Sequence, residues 1–389
     1  MDYEENNSMM DTYANLPMNL VSGNGSYVFD DSNNKYLDFT SGIGVNSIGY
    51  NNKKWVDAVS KQASTLAHIS NIFLNETTLN LCRNLCNLSN MSKIFLANSG
   101  AEANEGAIKL ARKYSFDKYG ANRNVILTLK QSFHGRTLAT LTATGQDKFH
   151  NYFFPFPEGF DYVVANNIDS FKDKLENNVC AIMLEAIQGE GGVNVLDTDF
   201  VNEVIRICNE KDILVIFDEV QCGIGRTGTL FGFNHFNVTP DIITVAKGLG
   251  GGLPIGGFLC NEKLANVFKP GDHGTTFGGN PIVCAGALVV LNEICNKKTF
   301  EQITNKGTLI KEFFENLNSP LIKEVRGSGL MIGIETTIDG ALIQKKAIEK
   351  GLLVLTAGKN VVRLLPPLTI ENEEILTGLK IVEEILKTL

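Results

Sequence analysis

The stretch Ile213-Leu-Val-Ile-Phe-Asp-Glu-Val-Gln221, followed by Ile242-Ile-Thr-Val-Ala-Lys247, decides the fold. Each begins as an unbroken apolar run rich in β-branched residues and ends abruptly on a charge. A short apolar run of this kind is a strand buried on both faces, and such strands belong to mostly parallel sheets covered by helices. Five more runs share the pattern: Lys93-Ile-Phe-Leu-Ala97, Val125-Ile-Leu-Thr-Leu129, Tyr162-Val-Val-Ala165, Cys180-Ala-Ile-Met-Leu184 and Gly257-Phe-Leu-Cys260. Residues 101–116 and 200–210, between them, carry helical spacing. The alternation predicts an α/β protein with a seven-stranded, mostly parallel sheet.

Outside this core the pattern changes. Residues 20–50 read as short strands and turns, and residues 53–67 as a helix with Trp55, Val56, Val59, Ala63 and Leu66 on one face. Beyond Gly279-Asn-Pro281 the strand–helix alternation ends. Residues 282–295, 300–317 and 373–386 read as helices around a mixed segment, Gly329-Leu-Met-Ile-Gly-Ile-Glu335. This predicts a large central domain and a smaller α+β domain from the C-terminal third.

Composition narrows the function. With 35 basic and 43 acidic side chains the net charge is −8, which argues against nucleic acid or an anionic membrane as the main partner. The acidic start MDYEENNSMM is unlike a secretory leader, and no apolar stretch is long enough to span a bilayer. The eight cysteines form no C-x-x-C pair, so free buried thiols in a reducing compartment are expected. The five histidines make no metal-ligand cluster, and no metal site is expected. There are 37 glycines against 10 prolines, and 17 of the glycines fall in residues 189–279. That concentration marks a region of close backbone approach rather than a linker.

In open α/β sheets, ligands bind beyond the carboxyl ends of the strands. After 93–97 comes Asn98-Ser-Gly-Ala-Glu-Ala-Asn-Glu105, opening a helix. The N–H groups of Gly100 and Ala101 with the Ser99 hydroxyl suit a phosphate; Ser99 with Glu102 equally reads as a helix cap. After 125–129 comes Ser132-Phe-His-Gly-Arg136, where Arg136 either grips a carboxylate or is a solvated surface cation. Asp218 ends an apolar strand and needs a cationic or hydrogen-bonding partner, unless it is a helix cap or half of a structural ion pair. Lys247 ends another, where desolvation favours the neutral amine needed for Schiff-base chemistry, unless the side chain snorkels to water. Pyridoxal 5′-phosphate needs this combination: a lysine, a carboxylate for its ring nitrogen, a helix N-terminus for its phosphate and an aromatic wall.

Six ordered runs carry a family likeness: Asn98-Ser-Gly-Ala-Glu-Ala-Asn-Glu105, Ser132-Phe-His-Gly-Arg-Thr137, Glu185-Ala-Ile-Gln-Gly-Glu-Gly-Gly192, Phe217-Asp-Glu-Val-Gln-Cys-Gly-Ile-Gly-Arg-Thr-Gly228, Ala246-Lys-Gly-Leu249 and His273-Gly-Thr-Thr-Phe-Gly-Gly-Asn-Pro281. In this order the chain resembles the class III, fold-type I aminotransferases, from Tyr27-Val-Phe-Asp-Asp31 to Arg363-Leu-Leu-Pro-Pro-Leu-Thr-Ile370.

The resemblance implies roles. Lys247 is the Schiff-base lysine and proton shuttle. Asp218 pairs with the ring nitrogen, Gln221 lies near the ring hydroxyl, Phe133 stacks on the ring, and Ser99, Gly100 and Ala101 hold the phosphate. Glu185, Glu219 and Val220 complete the implied cofactor shell. Thr276 reaches the phosphate of the opposite subunit, which implies a homodimer with shared active sites. Arg136, with Thr275 near it, takes the donor's α-carboxylate, and Arg363 takes that of 2-oxoglutarate. Glu190 masks Arg363 while the terminal amine of the donor reacts. The implied domains are residues 1–52 packing with the small domain, 53–286 binding the cofactor, and 287–389.

Within the family the likeness points to a donor such as N²-acetylornithine, in cytoplasmic arginine biosynthesis. Succinylornithine, succinyldiaminopimelate, acetyl-lysine, free ornithine and 4-aminobutyrate are the rival donors. Two readings lie outside this enzyme class. Gly223-Ile-Gly-Arg-Thr-Gly228 spells a dinucleotide fingerprint, as in an NAD-dependent oxidoreductase, but residues 229–240 do not read as the helix that motif requires. A non-catalytic pyridoxal-phosphate-binding regulator needs an attached recognition domain, for which the sequence has no spare segment.

Overall fold

The computed structural model describes residues 8–14, 16 and 18–389. The first seven residues, on which the reading of the acidic start rests, lie outside these. A seven-stranded sheet forms the centre, in the order Lys93–Ala97, Gly256–Cys260, Ile242–Val245, Leu214–Asp218, Val179–Leu184, Val125–Leu129, Phe160–Val163. Only Gly256–Cys260 runs antiparallel to its two neighbours. The strands coincide with the seven apolar runs to within a residue or two.

Both faces of the sheet are buried, and the pleat divides each strand between them. Leu214 and Ile216 join Ile126, Ala181 and Met183 under the helix Gly100–Tyr119, through Ala107, Ile108, Leu110 and Ala111. Val215 and Phe217 face the other way, with Leu127, Ile182 and Ile243, onto Val201 and Val204 of the helix Thr198–Lys211. Gly106 brings Gly100–Tyr119 close to the sheet: a Cβ there would fall within the Phe258 ring. That approach seats the helix N-terminus at the strand ends.

The alternation continues past Phe217. Asp218 turns towards Gly100–Tyr119. Glu219 turns to the opposite face, where its carboxylate accepts hydrogen bonds from the amides of Gly232 (2.7 Å) and Phe233 (2.9 Å).

Two smaller sheets flank the centre. Leu20–Asn24, Tyr27–Asp30 and Lys35–Asp38 form an antiparallel meander whose last strand pairs in parallel with Leu352–Leu353. Ile322–Ser328, Met331–Thr336, Val361–Leu364 and Leu355–Ala357 form an antiparallel sheet in that order. Among the described residues all eight cysteines are free, no His/Cys/Asp/Glu cluster suits a metal, and no helix is long and apolar enough to cross a membrane.

Two measurements probe this packing. Gly106→Val pushes the helix off Phe258 and costs about 1–3 kcal/mol, read as a lower urea midpoint at unchanged m-value. Burial pushes the Glu219 carboxyl up to about 8 against the pull of its two amide donors, whereas in the unfolded chain it ionises near about 4.3. Between these values the folded state holds the extra proton, so stability falls as pH rises. Glu219→Gln removes that slope and gains on the parent by roughly 2–4 kcal/mol between about pH 5 and pH 8. Parallel stability curves for the two proteins would show that Glu219 is ionised throughout.

Candidate active site

At the carboxyl ends of the central strands lies a cavity of about 480 Å³ whose lining includes Ser99, Gly100, Ala101, Phe133, Arg136, Glu185, Asp218, Val220, Gln221 and Lys247. These residues come from five separate segments at the strand ends, and they are ten of the predicted site residues.

Asp218 anchors the floor. It is 4% exposed. Its Oδ2 accepts from Asn104 Nδ2 at 2.8 Å and faces His134 Nδ1 at 2.7 Å, while Oδ1 accepts from the amide of Val220 at 3.0 Å. With Asp218 ionised, His134 carries its proton on Nδ1. Asn104 also donates to the carbonyl of His134, closing the cluster. Neither Asn104 nor His134 has a role legible in the sequence, although both sit inside the runs that carry the family likeness. Asn104 lies one turn into a helix whose Gly106 touches the sheet, and that spacing is the available signal.

Glu185 shares the cavity and accepts from the Phe133 amide at 3.0 Å. Burial, reinforced by the negative charge of Asp218, raises its carboxyl well above the ordinary range. Of the two carboxyls in this dry site, Glu185 is therefore the one whose charge the surroundings oppose.

Lys247 follows the strand Ile242–Val245 with φ at +42°, a left-handed conformation rare for a residue with a Cβ. Burial lowers its pKa, partly offset by the Glu190 charge. The neutral amine is thus more accessible than on a free lysine.

One end of the cavity is a helix N-terminus. Ser99 Oγ accepts from the Glu102 amide at 3.1 Å, while Glu102 accepts from the Asn98 amide at 2.6 Å. The cap and anion readings of this motif are compatible, because the Ser99 hydroxyl proton remains available to a ligand. Gly100 lies against Val220, with its would-be Cβ 2.7 Å from Val220 Cγ1. Val220 and Phe133 supply apolar walls.

Other predicted residues lie off the cavity wall. Glu219 does so because the pleat sends it to the opposite face of the sheet. Arg363 and Glu190 stand behind Gln221. Arg363 is 2% exposed, and its Nη1 donates to Glu190 Oε1 at 2.7 Å and to Gln221 Oε1 at 3.1 Å. Burial opposes ionisation of Glu190, but the Arg363 charge and hydrogen bond outweigh it and hold its pKa below the ordinary value. Thr275 Oγ1 accepts from Asn98 Nδ2 at 3.3 Å and from the Gly278 amide at 3.1 Å. Thr276 is exposed. Arg136 itself is exposed at the mouth, its guanidinium 4.2 Å from the Phe149 ring centre.

The donor set fits pyridoxal phosphate: helix amides and a hydroxyl for phosphate, a buried carboxylate for a protonated ring nitrogen, two apolar walls for a flat ring, and a desolvated lysine. Comparisons with known proteins agree. The sequence model of aminotransferase class-III matches residues 8–386. An acetylornithine aminotransferase of Caldanaerobacter subterraneus subsp. tengcongensis is 50% identical over 385 residues, 98% of each chain. An N-acetylornithine aminotransferase structure from Stenotrophomonas maltophilia K279a is 34% identical with a TM-score of 0.85, covering 97% of each chain. The ornithine aminotransferase of Toxoplasma gondii, whose structure reveals partial occupancy of PLP at the active site, is 31% identical with a TM-score of 0.94, covering 98% of this chain and 92% of that one. The chain is therefore a PLP-dependent transaminase, and it belongs to the class-III aminotransferase family.

Proposed function

We propose that the protein transfers the terminal amine of N²-acetyl-L-ornithine to 2-oxoglutarate, giving N-acetyl-L-glutamate 5-semialdehyde and L-glutamate. The observation that carries this reading is the Arg363–Glu190 pair beside a cavity that holds both Lys247 and Asp218. A fully buried guanidinium demands an anionic partner. While the ω-amine donor reacts, Glu190 supplies that partner and the arginine attracts no substrate carboxylate. When 2-oxoglutarate enters, its α-carboxylate takes the place of Glu190, whose side chain is 29% exposed and has room to leave. One site then accepts two differently charged substrates.

Bound pyridoxal phosphate supplies the electron sink that makes the amine-bearing carbon acidic. The chain does the rest. Asp218, fixed by Asn104 and His134, holds the proton on the ring nitrogen. Ser99, Gly100 and Ala101 would hold the phosphate, and Phe133 and Val220 would shield the ring from water. Lys247 Nζ would take the proton from the substrate carbon and hold it for return in the second half of the transfer. Arg136 meets the donor's α-carboxylate at the mouth.

A homodimer is part of the proposal. Ile72, Phe73, Leu74 and Phe277 are 85%, 61%, 82% and 61% exposed, an apolar surface that water does not favour. Asn71 ties the two loops together by donating to the carbonyls of Thr275 and Gly278. A second copy covering this patch brings exposed Thr276 to the partner's phosphate site and Thr275 towards its Arg136. The division into residues 1–52, 53–286 and 287–389 belongs to the same reading, supported by the pairing of Lys35–Asp38 with Leu352–Leu353. Arginine biosynthesis in the cytoplasm is the proposed setting, in keeping with the free thiols.

Free ornithine is the second reading, favoured by the high structural likeness to the Toxoplasma enzyme. Values of kcat/KM with 2-oxoglutarate as acceptor decide between them. Acetylornithine should lead ornithine, 4-aminobutyrate and succinylornithine, and a clear lead for ornithine or 4-aminobutyrate overturns the choice. Independently, the purified protein should absorb near about 420 nm and lose that band and its transaminase activity in Lys247→Ala; retention of both would remove Lys247 from its role.

A further inference from the structure

Glu190 sits in a turn whose backbone is unusually constrained. The turn, residues 189–193, joins two short strands, Ile187–Gln188 and Asn194–Val195. Gly192 has φ +125° and Val193 φ +58°. A β-branched residue in that region is strained and persists only where surrounding contacts over-determine it.

Those contacts come from one row of the small antiparallel sheet. Arg326 lies directly opposite Gly333, and Gly333 directly opposite Arg363. Residues opposite one another in an antiparallel ladder project to the same face. The row therefore presents two arginines with a side-chain-free gap between them, and the turn is seated on it. Val193 is fully buried over the gap, and a Cβ on Gly333 would lie 2.8 Å from Val193 Cβ. Arg363 grips the Glu190 carboxylate. Arg326 grips the backbone: Nε and Nη2 both donate to the carbonyl of Gly192, at 3.0 and 2.7 Å. Its remaining Nη1 is held at 2.6 Å by each of Glu324 and Glu335, so the fork is itself aimed.

We propose that Arg326 is a positioning residue for the transamination: by clamping the Gly192 carbonyl it fixes the turn, so that only the Glu190 side chain moves when the two substrates exchange. A loose turn would carry Glu190 off Arg363 at random, leaving the arginine open to the donor's α-carboxylate, which brings the α-nitrogen rather than the terminal amine to the reacting position; on ornithine, whose α-amine is free, this shows as reaction at the wrong amine. This rests on the Glu190–Arg363 switch of the proposed function, and the test separates the two.

The test compares Arg326→Gln, Arg326→Lys and Glu190→Gln in the full-length, cofactor-loaded protein. The two readouts are the ratio of ω- to α-amine reaction on ornithine and amide hydrogen exchange across residues 187–195. Glu190→Gln should lower the ratio with little change in exchange. Arg326→Gln should lower it by on the order of tenfold, as a small displacement at a reacting geometry does, and should speed exchange in the turn, with the kcat for the donor half-reaction falling less than the ratio. Arg326→Lys keeps the charge but not the two-pronged grip, so it should shift both readouts in the same direction by less. If Arg326→Gln leaves ratio and exchange unchanged while Glu190→Gln alters the ratio, the clamp is refuted and the switch survives. If Arg326→Lys behaves as the parent, charge alone matters and the clamp is again refuted. If Glu190→Gln leaves the ratio unchanged, the switch fails and the proposal falls with it. Should Arg326→Gln not fold, Arg326→Lys and Gly333→Ala, which wedges Val193 off the row, carry the same comparison.

Discussion

Keeping a carboxylate ionised at the end of an apolar strand takes several donors, and the chain brings them to Asp218 from distant segments: Asn104 from a helix, His134 from a loop, and the amide of Val220 from the adjacent turn. The rest of the site depends on that demand. The helix must approach closely enough for Asn104 to reach, which Gly106 permits against Phe258. That same approach delivers the helix N-terminus to the cavity. Glu185, sharing the space, has its carboxyl pushed well above the ordinary range by burial and by the Asp218 charge. Lys247, in the same dry region, is moved towards its free-amine form. The hydrogen-bonding demand of one buried carboxylate thus orders the helix N-terminus, the aromatic wall and the lysine around itself.

Much of this is legible in the sequence because the physics is local. Apolar runs buried on both faces announce a parallel sheet, and charges that end such runs announce a site. Asp218, Lys247, Phe133 and the Ser99–Ala101 turn need no more than that and a family likeness. Glu219 shows what a motif alone conceals. It is the immediate neighbour of Asp218 in the chain, yet the pleat sends it to the opposite face, onto the amides of Gly232 and Phe233. Period-two alternation is the available signal, and continuous burial masks it. Thr275 is a different case: its neighbours Asn98 and Asn71 are far away in the chain, and nothing periodic links them.

The turn that carries Glu190 is legible only as a glycine-rich motif. Its flanking strands have two residues each, too short for any alternation, and its seat on the row Arg326–Gly333–Arg363 joins segments more than a hundred residues apart. Long-range register of this kind is set by packing of the whole small sheet. Glycine at 333 is informative in hindsight: in a strand, a missing side chain marks the place where another backbone lies close.

The pairing of Lys35–Asp38 with Leu352–Leu353 has a consequence for how the protein is made. The first strands leave the ribosome early, but the strand that completes their sheet is encoded near the other end of the chain. At about 5–20 residues per second, synthesis of the intervening segment takes roughly 15–60 s. For that interval the N-terminal meander has an open edge, the kind of surface that invites unwanted pairing. Lys35 at the start of its last strand places a charge on that edge. That edge is therefore covered only once nearly the whole chain has been made.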